Sequence, residues 1–169
     1  MKQAMQDLQK IWDTGDSQVW HFPGASGGLE ATLELKERAG ATRVERLTWH
    51  HNGQEVSCPF PATVLPDSSG VVLLDEWHFQ GVPREGIEPY RQHLRVLNPD
   101  GTLRLRIFAP MIDAHSRPQE AFIEEPRDFS NLGFPFAAVA YDGHRMMIVE
   151  YDWQTGKMLR WSPVDTRQL

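Results

Sequence analysis

Three short stretches, Asn52-Gly53, Asn98-Pro99-Asp100-Gly101 and Asp142-Gly143, limit what this chain can fold into more than any other part of it. Each ends in a glycine that takes positive φ without a steric penalty, and each is flanked by apolar or alternating runs. A turn of this kind reverses an extended chain on itself. Residues 47–51 are therefore expected to pair with 54–58, 94–97 with 102–108, and 136–141 with 144–151. The stretch 152–156 then turns the chain into 157–161. The apolar run at 71–74 has the pattern of a central strand covered on both faces.

Two further segments are read from periodicity. Met1, Met5, Leu8, Ile11 and Trp12 recur at spacings of three and four, one stripe of a short N-terminal amphipathic helix that Gly15 would stop. Leu29, Ala31, Leu33 and Leu35 alternate with Glu30, Thr32, Glu34 and Lys36. That is the period of a half-buried strand, although the individual residues favour a helix. The fold expected is mainly β: an antiparallel meander of about ten short strands, as a curved sheet, sandwich or small barrel, with one short N-terminal helix. A chain of 169 residues fits a single domain spanning 1–169, and it is too short for an ordinary four-bladed propeller.

Gly24-Ala25-Ser26-Gly27-Gly28 satisfies the G-x-S-x-G pattern of a nucleophile elbow. The motif has meaning only between a strand and a helix. With the 29–36 alternation read as a strand, Ser26 falls in an inter-strand loop, and no catalytic residue is assigned. The expectation leans away from an enzyme. Seven histidines invite a metal reading, with His50-His51, the 75–78 stretch and the Asp113/His115 pair as the tightest groups. Adjacent residues on a strand point to opposite faces, however, and no clustered ligand motif occurs, so neither a metal nor a cofactor is expected. Carboxylate neighbours such as Glu124-Glu125 say nothing about the gap a glycoside hydrolase needs.

The formal net charge of −6 argues against a nucleic-acid partner, which requires a basic surface. Cys58, the single cysteine, excludes an intramolecular disulfide and is expected to be an idle buried thiol. No apolar run is long enough for a signal peptide or a membrane span, so a cytoplasmic protein with no membrane partner is expected.

Against the overall acidity, residues 91–110 carry four arginines and one aspartate. In the 102–108 strand, Arg104 and Arg106 would take the face opposite Leu103, Leu105 and Ile107, forming an arginine ladder suited to bidentate pairing with carboxylates. Trp77 and Phe79 flank His78 on one strand, and Trp153 lies in a turn, so these rings are candidate binding anchors. The long 111–135 segment mixes apolar residues with Glu124, Glu125 and Asp128, and a loop of that length inside a domain is more often functional than incidental.

The turn units NGQEV, DGTLRLRI, DGHRMMIV and TGKML are similar to the hairpins of β-propeller blades and YD-repeat shells, while in size, acidity and Gly-turn style, and not in any motif, the chain resembles small acidic β-rich bacterial toxin-immunity proteins. The resemblance implies an intracellular protein that docks a protein partner, such as a toxin, stoichiometrically. The partner-binding set expected is Glu124, Glu125, Asp128, Trp153, Trp77, Phe79, Arg104 and Arg106. The alternatives are a small-ligand or carbohydrate-binding β domain and, third, a hydrolase.

Overall fold

A computed structural model of the chain describes residues 5–20, 28–75 and 92–169, with backbone only at 28–30. Along them run β1 (Gln6–Trp12), β2 (Ser17–Val19), α1 (Gly28–Arg38), β3 (Val44–His51), β4 (Gln54–Pro59), β5 (Ala62–Val64), β6 (Val71–Asp75), β7 (His93–Leu97), β8 (Leu103–Phe108), β9 (Phe122–Ile123), β10 (Arg127–Phe129), β11 (Phe134–Tyr141), β12 (Met146–Tyr151) and β13 (Met158–Pro163). The strands form three antiparallel sheets, ordered β2-β1-β3-β4, β5-β6-β7-β8 and β10-β11-β12-β13, with β9 added on β11. The fold is mainly β, and among the described residues no sheet closes into a barrel. No helix among the described residues is long and apolar enough to cross a membrane. The contacts divide into two compact units, Met1–Val71 with Leu97–Leu103, and Val72–Val96 with Arg104–Leu169.

In the first unit the β3–β4 hairpin turns where expected. Asn52 and Gly53 both take positive φ, at 52° and 76°, and bring His51 opposite Gln54. Leu47 and Trp49 on β3 are fully buried, and Cys58 on β4 is buried. The Trp49 indole N–H donates to the Pro99 carbonyl at 2.5 Å, which seats the Asn98–Gly101 turn on the hairpin. That turn is closed by Asp100, whose Oδ1 accepts from the Thr102 hydroxyl at 2.6 Å and from the Thr102 N–H at 3.0 Å.

Two expectations are corrected in this unit, and each correction has a physical cause. The N-terminal stripe is not a helix but β1, an inner strand between β2 and β3. Asp7 takes φ 53°, and the register with β3 slips between Gln6 and Gln9 and again between Ile11 and Trp12. These irregularities reset which residues face inward, so buried Met5 and Trp12 and half-buried Leu8 and Ile11 imitate helical spacing. Gly15 closes the turn to β2.

Conversely, the 29–36 alternation is not a strand but the middle of α1. Strong helix formers outweigh the period, Lys36 and Arg38 complement the dipole in the last turn, and Arg38 pairs with Glu34 at 3.2 Å one turn earlier. The alternating residues scatter as a helix requires: Ala31, Thr32 and Leu35 are half-buried while Leu33 is exposed. Trp12 Nε1 donates to Gln18 Oε1 at 3.0 Å, and Gln18 Nε2 to Thr32 Oγ1 at 2.9 Å, tying the helix to the sheet. A helix, and not the expected strand, therefore follows the GASGG stretch. Ser26 itself lies outside the described residues.

The second unit is built on the β11–β12 hairpin, with Ala137 to Ala140 and Met147 to Val149 buried. Its connection is longer than the expected two residues, spanning 142–145. Asp142, fully buried, organises it. Asp142 Oδ1 accepts from the N–H groups of His144 at 2.8 Å and Arg145 at 2.7 Å, Oδ2 accepts from the Ser116 hydroxyl at 2.7 Å, and Arg145 Nε lies 3.7 Å from Oδ2. Burial pushes this carboxyl up, but the hydrogen bonds from Arg145, Ser116 and His144 and the Arg145 charge outweigh it and hold the group below the usual carboxylate range. The Arg117 N–H also donates to the Asp142 carbonyl at 2.6 Å. The 111–135 segment is thus fastened to the hairpin. It contains β9, β10 and a 3₁₀ turn at Ser130–Leu132 in place of the irregular loop expected.

These contacts rank the turn glycines. A Cβ at Gly143 (φ 88°) would overlap the Arg117 backbone, one at Gly101 (φ 87°) would lie 2.8 Å from Val56 Cγ1, and one at Gly53 would meet open space. Thermal unfolding should show Gly143→Ala as the most damaging, Gly101→Ala next, and Gly53→Ala at about 1 kcal/mol from backbone strain alone. Equal effects at all three would contradict the packing. Asp142→Ala should cost about 2–4 kcal/mol at neutral pH by stranding buried donors. Because the folded carboxyl is depressed, its contribution is full above the unfolded value and disappears as pH falls through the folded one. The stability gap between wild type and Asp142→Ala, measured by denaturant titration, should therefore narrow on acidification; a constant gap would contradict this assignment.

Candidate partner-binding surface

Two of the residues singled out in the sequence meet in the second unit. Arg104 on β8 donates from Nη1 to the carbonyl of Trp153 at 3.2 Å. The turn carrying Trp153 is built around Asp152, whose carbonyl accepts from the Gly156 N–H at 2.7 Å and whose Oδ1 accepts from the Gln154 N–H at 2.9 Å. Gly156 lies against β8, where a Cβ would stand 3.5 Å from Leu105 and 3.9 Å from Ile107. The turn is thus held from below by strand side chains and from the side by an arginine.

The Trp153 ring is half-buried and meets Phe136 edge-on at 5.6 Å between centroids and Tyr151 at 5.7 Å. Edge-to-face contacts at both neighbours fix the ring while part of it stays open to solvent. The Tyr151 hydroxyl beneath is buried and finds no hydrogen-bond partner among the described residues, and burial pushes the phenol well above its usual range. Phe136 and Tyr151 complete a three-ring cluster: Tyr151 is two residues from Trp153, whereas Phe136 comes from β11, the neighbour of β12 in the sheet.

The arginine ladder is realised in part. Arg106 is exposed and Arg104 half-buried, while on the opposite parity Ile107 is buried, Leu105 half-buried and Leu103 exposed. The acidic residues lie along β9 and β10. The Glu124 N–H donates to the Val139 carbonyl at 2.8 Å, and the Glu124 carboxylate pairs with Arg127 at 3.1 Å in solvent. Glu125 is half-buried with Oε1 shielded from water. Asp128 accepts from the hydroxyl and N–H of Ser130, which hold its carboxyl below the usual range. Arg127 stands opposite Ala137, next along β11 from Phe136, so this acidic edge runs beside the strand that supports Trp153. Trp77 and Phe79 lie outside the described residues.

His50 and His51 separate as strand geometry requires, whereas Asp113 and His115 stay together on a turn and residues 76–78 lie outside the described residues. His50 Nδ1 lies 3.5 Å from Asp7, and His51 Nε2 contacts the Asn52 amide at 3.3 Å. One buried polar group was not anticipated. Asp75 at the end of β6 lies 3.6 Å from His93 and 3.5 Å from Arg95, both on β7, with the His93 ring 4.8 Å from Phe108. Asp75 and His93 are almost wholly buried. Charges so placed must be paired to be tolerated. No sequence motif marks this set, because β7 and β6 become neighbours only in the sheet.

No family model matches the chain, and no curated protein matches it. Among solved structures, a chain from "Structure of Tne2 in complex with Tni2" is similar to this one with a TM-score of 0.61 and 16% identity, over 95% of this chain and 99% of that chain. At that identity the likeness is one of fold, carried by nearly the full length of both chains.

Proposed function

We propose that this chain is an intracellular binding protein that docks a protein partner stoichiometrically and neutralises it, in the manner of bacterial immunity proteins acting on toxins. Trp153 is the anchor, with Arg104 bonded to its carbonyl and Arg106 exposed two residues further along β8. Glu124, Glu125 and Asp128 form an acidic flank that guides approach; Trp77 and Phe79, outside the described residues, stay in the proposed partner-binding set on their chemistry alone. The observation that carries this reading is the Trp153 cluster. A large ring held on Phe136 and Tyr151, with its own carbonyl taken by Arg104, loses little freedom on binding. Preorganised aromatic and arginine positions are where binding energy concentrates in protein interfaces. The reading is further supported by the similarly folded chain, which comes from a structure of two proteins in complex.

The test is a kinetic one on the complex formed with the partner recovered from the native cell. Trp153→Ala should speed dissociation and cost about 2 kcal/mol or more, with little change in association. Glu124→Lys should slow association, with less effect on dissociation, and its effect should fade as salt is raised. Glu124 suits this purpose because its solvent-exposed pair with Arg127 contributes little to stability. If both variants bind with wild-type rates, the docking surface lies elsewhere.

A further inference from the structure

We propose that His115 and His144 form a two-imidazole surface site for a borderline divalent cation of the Zn²⁺ class, with water completing the coordination shell. The two residues are distant in sequence and lie on different turns, yet their ring centroids stand 5.4 Å apart with the planes inclined at 33°. Two imidazoles sharing one tetrahedral ion, at Zn–N distances of about 2.0–2.1 Å, place their ring centres roughly 5 Å apart. The observed separation is close to that spacing. Both side chains are exposed, so the ion would not need to be stripped of all its water.

The backbones beneath the two rings are fixed in the same way. The His115 N–H donates to Asp113 Oδ1 at 2.8 Å, and the His144 N–H donates to Asp142 Oδ1 at 2.8 Å. Arg145 joins the two aspartates, contacting Asp113 Oδ2 and standing 3.7 Å from Asp142 Oδ2. The imidazoles are therefore presented from one braced unit, which lowers the ordering cost of chelation. Two carboxylates against one guanidinium also leave the surroundings net negative, which favours a dication. Among the described residues no group of three or more His, Cys, Asp or Glu side chains converges on a metal position. The site is thus an open, exchangeable one, unlike a closed structural centre.

The probe is Zn²⁺ alone, titrated calorimetrically into the chelator-treated full chain. One ion per chain is expected to bind, and His115→Ala and His144→Ala should each weaken that binding about tenfold or more, since either leaves a single imidazole. The double variant His50→Ala with His51→Ala should bind as wild type does. In wild-type protein, the ring proton resonances of His115 and His144 should respond together to Zn²⁺, a readout that does not depend on any variant folding. Wild-type affinity in either single variant, unmoved resonances at these two rings, or no binding at about 1 mM Zn²⁺ would overturn the proposal.

Discussion

A carboxylate with no access to water must find all its partners inside the protein, and Asp142 does so by drawing on two separate stretches of chain. It takes two backbone donors from its own turn and a hydroxyl from Ser116, twenty-six residues earlier. The second contact brings the 111–121 stretch against the hairpin. The next residues are then delivered to the edge of β11, where Ile123 pairs with Ala140 and the Glu124 N–H with the Val139 carbonyl. From there β10 reaches its place opposite residues 134–137. The Asp142–Ser116 contact thus anchors the start of the segment whose own pairing with β11 sets the acidic edge beside the strand supporting Trp153. Trp49 has a comparable role in the other unit, where a single indole N–H seats the 98–101 turn on the β3–β4 hairpin.

What could be read in advance follows from how local the governing physics is. Positive φ at Gly53, Gly101 and Gly143 is a property of one residue and its immediate neighbours, so the hairpins were legible and the mainly β class with them. The two misread segments failed for opposite reasons. In β1, bulges broke the alternation that would have announced a strand. In α1, a chance alternation of Leu and Glu hid a helix that propensity alone would have favoured. The error at α1 carried over to the GASGG stretch, whose reading depended on what came after it.

The surface was legible residue by residue but not as an arrangement. Arg104 and Trp153 were each notable for a local reason, an arginine on an alternating strand and a tryptophan in a turn. Their contact spans forty-nine residues and follows from where the turn packs on β8. Glu124 and Asp128 were visible as charge, but their bonds to Arg127 and Ser130 were not. Those bonds show that part of the acidity belongs to the segment's own construction. The Asp75, His93 and Arg95 set had no local signature, since strand order alone unites it.

The β scaffold holds half-buried Trp153 against Phe136 and Tyr151 beside an acidic edge, and the proposed docking rests on that arrangement. Hydrogen exchange measured by mass spectrometry on the free chain and on the isolated complex with its native partner tests this most directly. Docking at Trp153 and the acidic edge should slow exchange at 152–157 and along 122–130 in the complex. Unchanged exchange at both stretches, with protection confined to other parts of the chain, would contradict it.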